Sequence, residues 1–130
     1  RYYGFDDGLY AAVRLLALLE RRQTSLAVLY DQMPVLRNTP EMRFPCAEDR
    51  KFVVIDEVAD RLASANANVT AIDGVRVNTP DGWWLLRASN TQDVLVARCE
   101  SQDEDGLSRL KQDLYDQLGE SGLSLPEIFL

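Results

Sequence analysis

The sequence predicts an α+β domain of two layers: a mostly antiparallel, four-stranded sheet with two helices on one face, preceded by helices from the end of an earlier domain. Three observations predict it. From about residue 41 onward, segments of alternating and of three-to-four-residue apolar spacing follow in the order strand, helix, strand, strand, strand, helix. The strands are separated by the hairpin-type turns Asp73-Gly74 and Pro80-Asp81-Gly82, so neighbouring strands run antiparallel. Both helical segments are apolar along one side only, which suits covering one sheet face and leaving the other partly exposed.

The elements follow in order. Arg1 to Phe5 is aromatic and glycine-bearing, and Asp6 and Asp7 suit a helix N-terminus as cap and first-turn anions. A metal pair is the other reading of these two carboxylates, and capping explains them more simply. From Leu9 the spacing of Leu9, Tyr10, Val13, Leu16 and Leu19 predicts a helix, with Leu15 and Leu18 broadening its apolar face. A face this broad has to lie on something large, and the hundred residues that follow read as self-sufficient, so its partner is expected outside this chain. Arg21-Arg22-Gln23 closes the helix with positive charge near its C-terminus. Thr24 or Ser25 caps a second, shorter helix, Leu26 to Met33, which Pro34 ends. Val35 to Pro40 reads as irregular and places a domain boundary at about Leu36 to Glu41, a plain helix-to-strand loop being the alternative.

Met42 to Ala47 reads as a strand that Pro45 demotes to an edge or a strand start. Glu48-Asp49 precedes a helix from Arg50 to Ala65, with Phe52, Val53, Ile55, Val58, Ala59 and Leu62 as its expected apolar face, and Asn66 and Asn68 ending it. Val69 to Ile72 is a short strand, and Val75 to Asn78 continues beyond the Asp73-Gly74 turn. Two further strands, Trp83 to Arg87 and Val94 to Glu100, flank the loop Ala88 to Asp93. Adjacent Trp83 and Trp84 point to opposite strand faces, so one belongs to the core and the other to a surface, where it could stack on a sugar. Asp103-Glu104-Asp105 supplies N-terminal charge to a last helix, Gly106 to Leu118, with Leu107, Leu110, Leu114 and Leu118 on one face and Gly119 and Gly122 stopping it. Ser121 to Leu130 is a tail without a clear element.

Composition narrows the function. The chain has 130 residues, is 46% apolar and carries a net charge of −7, which suits a globular protein and disfavours phosphate-backbone partners, so no nucleic acid is expected. No apolar run approaches the ~20 residues of a membrane span, so no membrane is expected, and no signal peptide is visible. There is no histidine, which removes His-based catalysis and His zinc sites. Cys46 and Cys99 make no disulfide or metal pattern and are expected reduced in a cytoplasmic protein. The chain starts at Arg1 and enters a helix at once, which suggests a piece of a longer protein. Against the acidic background the loop after Arg87 stands out, with one guanidinium, the hydroxyls of Ser89 and Thr91, the carboxamide of Asn90 and a run of backbone N–H groups. A forked guanidinium completed by hydroxyls and amides fits a phosphate. An ordinary hairpin loop uses the same turn residues. Arg98, on the outgoing strand, reads as a solvated residue.

The stretch DGVRVNTPDGWWLLRASNTQDVLVARCE resembles the last domain of the α-D-phosphohexomutases, and most of all the bacterial phosphomannomutase/phosphoglucomutase enzymes. The likeness rests on Arg87, any residue, then Ser89-Asn90-Thr91, preceded by the hairpin Asp73-Gly74-Val75-Arg76. Arg1 to Tyr10 resembles the end of that family's third domain, and Thr39-Pro40-Glu41 the joint between domains three and four. The resemblance implies residues 1–37 as the helical end of the third, sugar-binding domain, 38–41 as hinge and 42–130 as a C-terminal phosphate-gripping domain, TATA-box-binding-protein-like in fold. It implies a whole enzyme that interconverts hexose 1-phosphate and 6-phosphate through a phosphoserine and a bisphosphate intermediate. Mg²⁺ would be held by Asp residues outside this chain. Arg87, Ser89, Asn90 and Thr91 would bind the phosphate that is not reacting, with phosphosugar and the other three domains as partners. This part alone would be inactive and would move as a lid. Asn90 favours the phosphomannomutase/phosphoglucomutase branch, since phosphoglucosamine mutases, the alternative, usually carry Gly there. A non-enzymatic α+β interaction module is the reading from another class. The family usually has Glu-Pro or Thr-Pro after the Thr, and Gln92-Asp93 stand here, which implies a looser loop and a carboxylate that weakens anion binding if it points inward.

Overall fold

In the computed structural model, which describes residues 3–123, the chain divides into two compact units, Arg1–Val35 and Leu36–Leu130. Arg1, Tyr2 and the tail from residue 124 onward lie outside the described residues.

The first unit holds helices α1 (Gly8–Arg22) and α2 (Leu26–Asp31). Their starts follow the side chains that satisfy the first free backbone donors of a helix. The Asp7 carboxylate accepts from the Tyr10 N–H at 2.9 Å, and the Ser25 hydroxyl, not that of Thr24, accepts from the Val28 N–H at 3.3 Å. The second helix stops at Asp31, short of the expected Met33, as the chain approaches Pro34. Neither helix has a buried residue, and Leu9, Val13 and Leu16 are all exposed.

The second unit is built on β6 (Val94–Ser101). One edge of β6 pairs with β5 (Gly82–Ala88), which pairs with β4 (Val75–Thr79) and then β3 (Val69–Thr70). Its other edge pairs first with β2 (Met42–Pro45) and, nearer its end, with β1 (Arg37–Asn38). Every ladder is antiparallel. The sheet thus has four strands of four or more residues, as expected, plus the two-residue β1 and β3. β1 lies in the stretch read as irregular, because two residues are too few to show a period. Thr39 extends it. Its N–H donates to the Cys99 carbonyl and its hydroxyl oxygen accepts from the Cys99 N–H, both at 3.0 Å.

Helices α3 (Glu48–Ser64) and α4 (Glu104–Glu120) cover one sheet face. Val54, Val58 and Leu62 of α3, with Leu110, Leu114, Tyr115 and Leu118 of α4, close over Phe44, Trp84, Leu86, Leu95 and Cys99. The expected apolar face of α3 needs correction, since Phe52 and Val53 are exposed while Lys51 and Val54 are buried. The stripe runs 51, 54, 58, 62, and positions 52 and 53 are out of phase with it. In α4 the Asp103 carboxylate caps the Gly106 N–H at 2.7 Å, and Gly119 sits inside the helix, leaving Gly122, at φ 77, to end it. Trp84 is fully buried and its indole N–H donates to Asp113 at 2.7 Å, while Trp83 faces the helix-free side.

Candidate functional site

The alternation of β5 decides how the loop begins. Trp84, Leu86 and Ala88 point into the core, so Arg87 faces the helix-free side, with its side chain 34% exposed. Its guanidinium reaches the Asp73 carboxylate only at 3.8 Å, a loose pairing in water that leaves the fork of donors available. The Asp73-Gly74 turn lies directly against it. Gly74 has φ +78, and a Cβ there would strike the Leu86 carbonyl oxygen and come within 2.7 Å of Arg87 Cα. The preceding hairpin therefore needs glycine to let Arg87 sit where it does.

From Ala88 to Asp93 the chain turns back on itself. The Ser89 N–H donates to the Val94 carbonyl at 3.0 Å, and the Val94 N–H to the Gln92 carbonyl at 2.9 Å. The Ser89 hydroxyl oxygen accepts from Thr91 N–H at 3.4 Å and Gln92 N–H at 3.2 Å. The expected run of open backbone donors is thus largely engaged in closing the turn, which an unordered loop would not do. Among the described residues, what stays open is the Arg87 fork, the hydroxyl hydrogen of the buried Ser89, and the exposed Asn90 and Thr91 side chains. Asn90 also has no hydrogen-bond partner for its N–H among the described residues.

Behind the loop lies a supporting set that sequence reasoning did not single out. Arg43 on β2 pairs with Glu41 at 2.7 Å and donates to the Gln92 side-chain carbonyl. The Cys46 N–H donates to the Asp93 carbonyl at 3.0 Å. Lys51, buried in the first turn of α3, donates to the Gln92 carbonyl at 3.2 Å and to the Glu48 carboxylate. Glu48 is held below the ordinary carboxylate range, first by the hydrogen bond from Lys51. The Asp93 side chain is exposed. A signal for Lys51 was present in the sequence: it falls three residues before Val54 and seven before Val58, in phase with the buried stripe.

The remaining candidates resolve as structural groups. Trp83 is stacked under the Arg76 guanidinium at 4.4 Å and donates from its indole nitrogen to Glu100 at 3.0 Å, so a sugar on that ring face would have to displace Arg76. Arg98 is exposed on the helix-free face. Cys46 and Cys99 are free and buried, and burial pushes the Cys99 thiol up to about 12. Among the described residues no group of three or more His, Cys, Asp or Glu side chains could hold a metal ion.

The sequence pattern of the phosphoglucomutase/phosphomannomutase C-terminal domain matches residues 41–117. The chain is 41% identical over 129 residues to a phosphomannomutase/phosphoglucomutase of Pseudomonas aeruginosa, covering 99% of this chain and 28% of that protein. It is 40% identical over 113 residues to a phosphoglucomutase of Neisseria meningitidis serogroup B, covering 85% of this chain and 24% of that protein. A solved phosphoglucomutase/phosphomannomutase family protein from Burkholderia thailandensis matches with a TM-score of 0.76 at 37% identity, over 96% of this chain and 26% of that one. The chain thus spans about a quarter of the length of these relatives.

Proposed function

Because the chain belongs to the phosphoglucomutase/phosphomannomutase family and carries its C-terminal domain, we propose that it is the part of a phosphohexomutase that grips the non-reacting phosphate of the sugar. Arg87 supplies the charge and the bidentate fork, and Ser89, Asn90 and Thr91 complete the shell with two hydroxyls, a carboxamide and the Asn90 backbone N–H. The observation that carries this reading is the loop itself. It is closed by its own hydrogen bonds, with Arg87 loosely paired at its base and neutral donors left open.

In the whole protein, phosphate would pass between O1 and O6 of a hexose by way of a phosphoserine and a bisphosphate intermediate, with Mg²⁺ bound elsewhere in the protein. The role of this domain is positioning. Binding energy at the remote phosphate holds the reacting oxygen in line. Donors that recognise only the PO₃ group suit an intermediate that must present either end. Closure as a lid fits the same role, with residues 38–41 as the hinge that the resemblance implies; the ties of Arg37 to Thr39 to β6 favour flexing just before them. Alone, the chain lacks the reacting serine loop and is inactive. Asn90 supports mannose and glucose phosphates over glucosamine phosphate, which assays of the whole enzyme on each sugar phosphate decide.

Titration of the chain with glucose 1-phosphate, followed by amide chemical shifts, tests the binding reading. Shifts clustering at Arg87 to Thr91, absent in Arg87→Ala, are expected. Shifts that spread elsewhere, or none at millimolar ligand, would sink it.

A further inference from the structure

A lysine in the first turn of a helix faces the positive end of the helix dipole, and a buried ammonium is costly without close partners. Lys51 meets both conditions: it lies in the first turn of α3 and is 1% exposed. Its partners are few. The ammonium donates to the Glu48 carboxylate and, across 41 residues of sequence, to the Gln92 carbonyl at 3.2 Å, and it lies 5.3 Å from the centre of the Phe52 ring. Gln92 is the knot of the loop. Its N–H donates to the Ser89 hydroxyl, its carbonyl also accepts from the Val94 N–H, and its side chain accepts from Arg43. A charge buried at this point, where an apolar residue would complete the stripe, bears on the loop as well as on the core.

We propose that Lys51 is a positioning residue: its buried ammonium fixes the Gln92 carbonyl, and through Gln92 the Ser89 hydroxyl, in the arrangement that leaves the loop donors open to a phosphate. The proposal rests on the phosphate-binding reading above. Lys51 never touches the ligand. It acts as the supporting partners of a ligating group do, whose loss usually costs about tenfold or more in affinity.

The test uses the whole chain with inorganic phosphate and glucose 1-phosphate as probes. Lys51→Met is expected to shift the Ser89 to Val94 amides and speed their hydrogen exchange without ligand, and to weaken phosphate binding about tenfold. Lys51→Arg, which keeps a donor for the Gln92 carbonyl, restores most of that loss. Glu48→Gln, whose amide oxygen can still accept from Lys51, lowers affinity much less than Lys51→Met does. A folded Lys51→Met chain with unchanged loop amides and parent affinity overturns the proposal, because a purely structural lysine would lower the melting temperature and nothing else. Equal losses in Glu48→Gln and Lys51→Met overturn it too. If Lys51→Met does not fold, the Lys51 Nζ resonance of the parent chain decides: it is expected to shift as phosphate binds, and invariance overturns the proposal. Failure of the phosphate reading shows separately, as a parent chain that binds no better than Arg87→Ala, and the ligand-free loop amides then still judge Lys51.

Discussion

Arg87 carries the charge of the candidate site, and its geometry separates charge from shape. A lysine keeps the positive charge but loses the planar fork that matches two phosphate oxygens at once. Arg87→Lys is therefore expected to weaken phosphosugar binding by about tenfold or more, with the melting temperature almost unchanged because the Asp73 pairing is loose. Calorimetric titration beside a thermal melt checks both halves, and parent-like affinity in the lysine variant counts against bidentate recognition. The motif around Arg87 is contiguous and was legible in the sequence as a donor set. Of its supports, only the burial of Lys51 had a signal, its phase with the stripe of α3; that Arg43 and Lys51 both reach Gln92 had none, because no local pattern joins residues that meet only in the fold.

At the scale of elements, two features tie the edges of the domain to its core. Thr39 takes a ladder position with its side chain, accepting from the buried Cys99 N–H at 3.0 Å just before Pro40, which has no N–H to donate. Thr39→Val keeps the shape and leaves that donor unsatisfied, at an expected cost of about 1–3 kcal/mol, read from urea unfolding of the second unit. The second feature joins α3 to the end of α4. Arg50 bonds both Glu57 oxygens, at 2.7 and 2.8 Å, and the Ser121 carbonyl at 2.9 Å. The Arg50 hydrogen bond, followed by one from Ser121, lowers the Glu57 carboxyl from 4.5 to about 2. A depressed carboxyl stabilises the fold above its unfolded value and loses that contribution as protons bind. The melting temperature is accordingly expected to fall as pH drops from about 4.5 toward 2. Glu57→Gln should flatten that limb, and an unchanged slope in the variant argues against the pair as its source.

At the scale of the molecule, the two units differ in what they bury. The first has no buried helical residue, whereas the second encloses a continuous core from Met42 to Leu118. A chain starting at Leu36 keeps β1, Thr39 and every core residue, so it is expected to fold alone and to unfold in one cooperative transition. Loss of cooperativity on removing residues 1–35 would show that the core needs them. No described helix is long and apolar enough to cross a membrane.

By itself the sequence determined what local chemistry controls. The order of the long strands and helices follows from apolar spacing. The helix starts at Asp6-Asp7, Thr24-Ser25 and Ser101 to Asp105 follow from the need for acceptors, although the fold decided that Asp7, Ser25 and Asp103 are the caps, and the opposite fates of Trp83 and Trp84 follow from strand alternation. The run from Arg87 to Thr91 stood out because its donors are neighbours in the chain. Only the tertiary structure decided which of those donors remain open and what holds them. Thr39 finds Cys99 across 60 residues and Lys51 finds Gln92 across 41, and burial turns each pair into a constraint because an unmet donor or charge is costly there. The loop is therefore local in its composition and non-local in its shape.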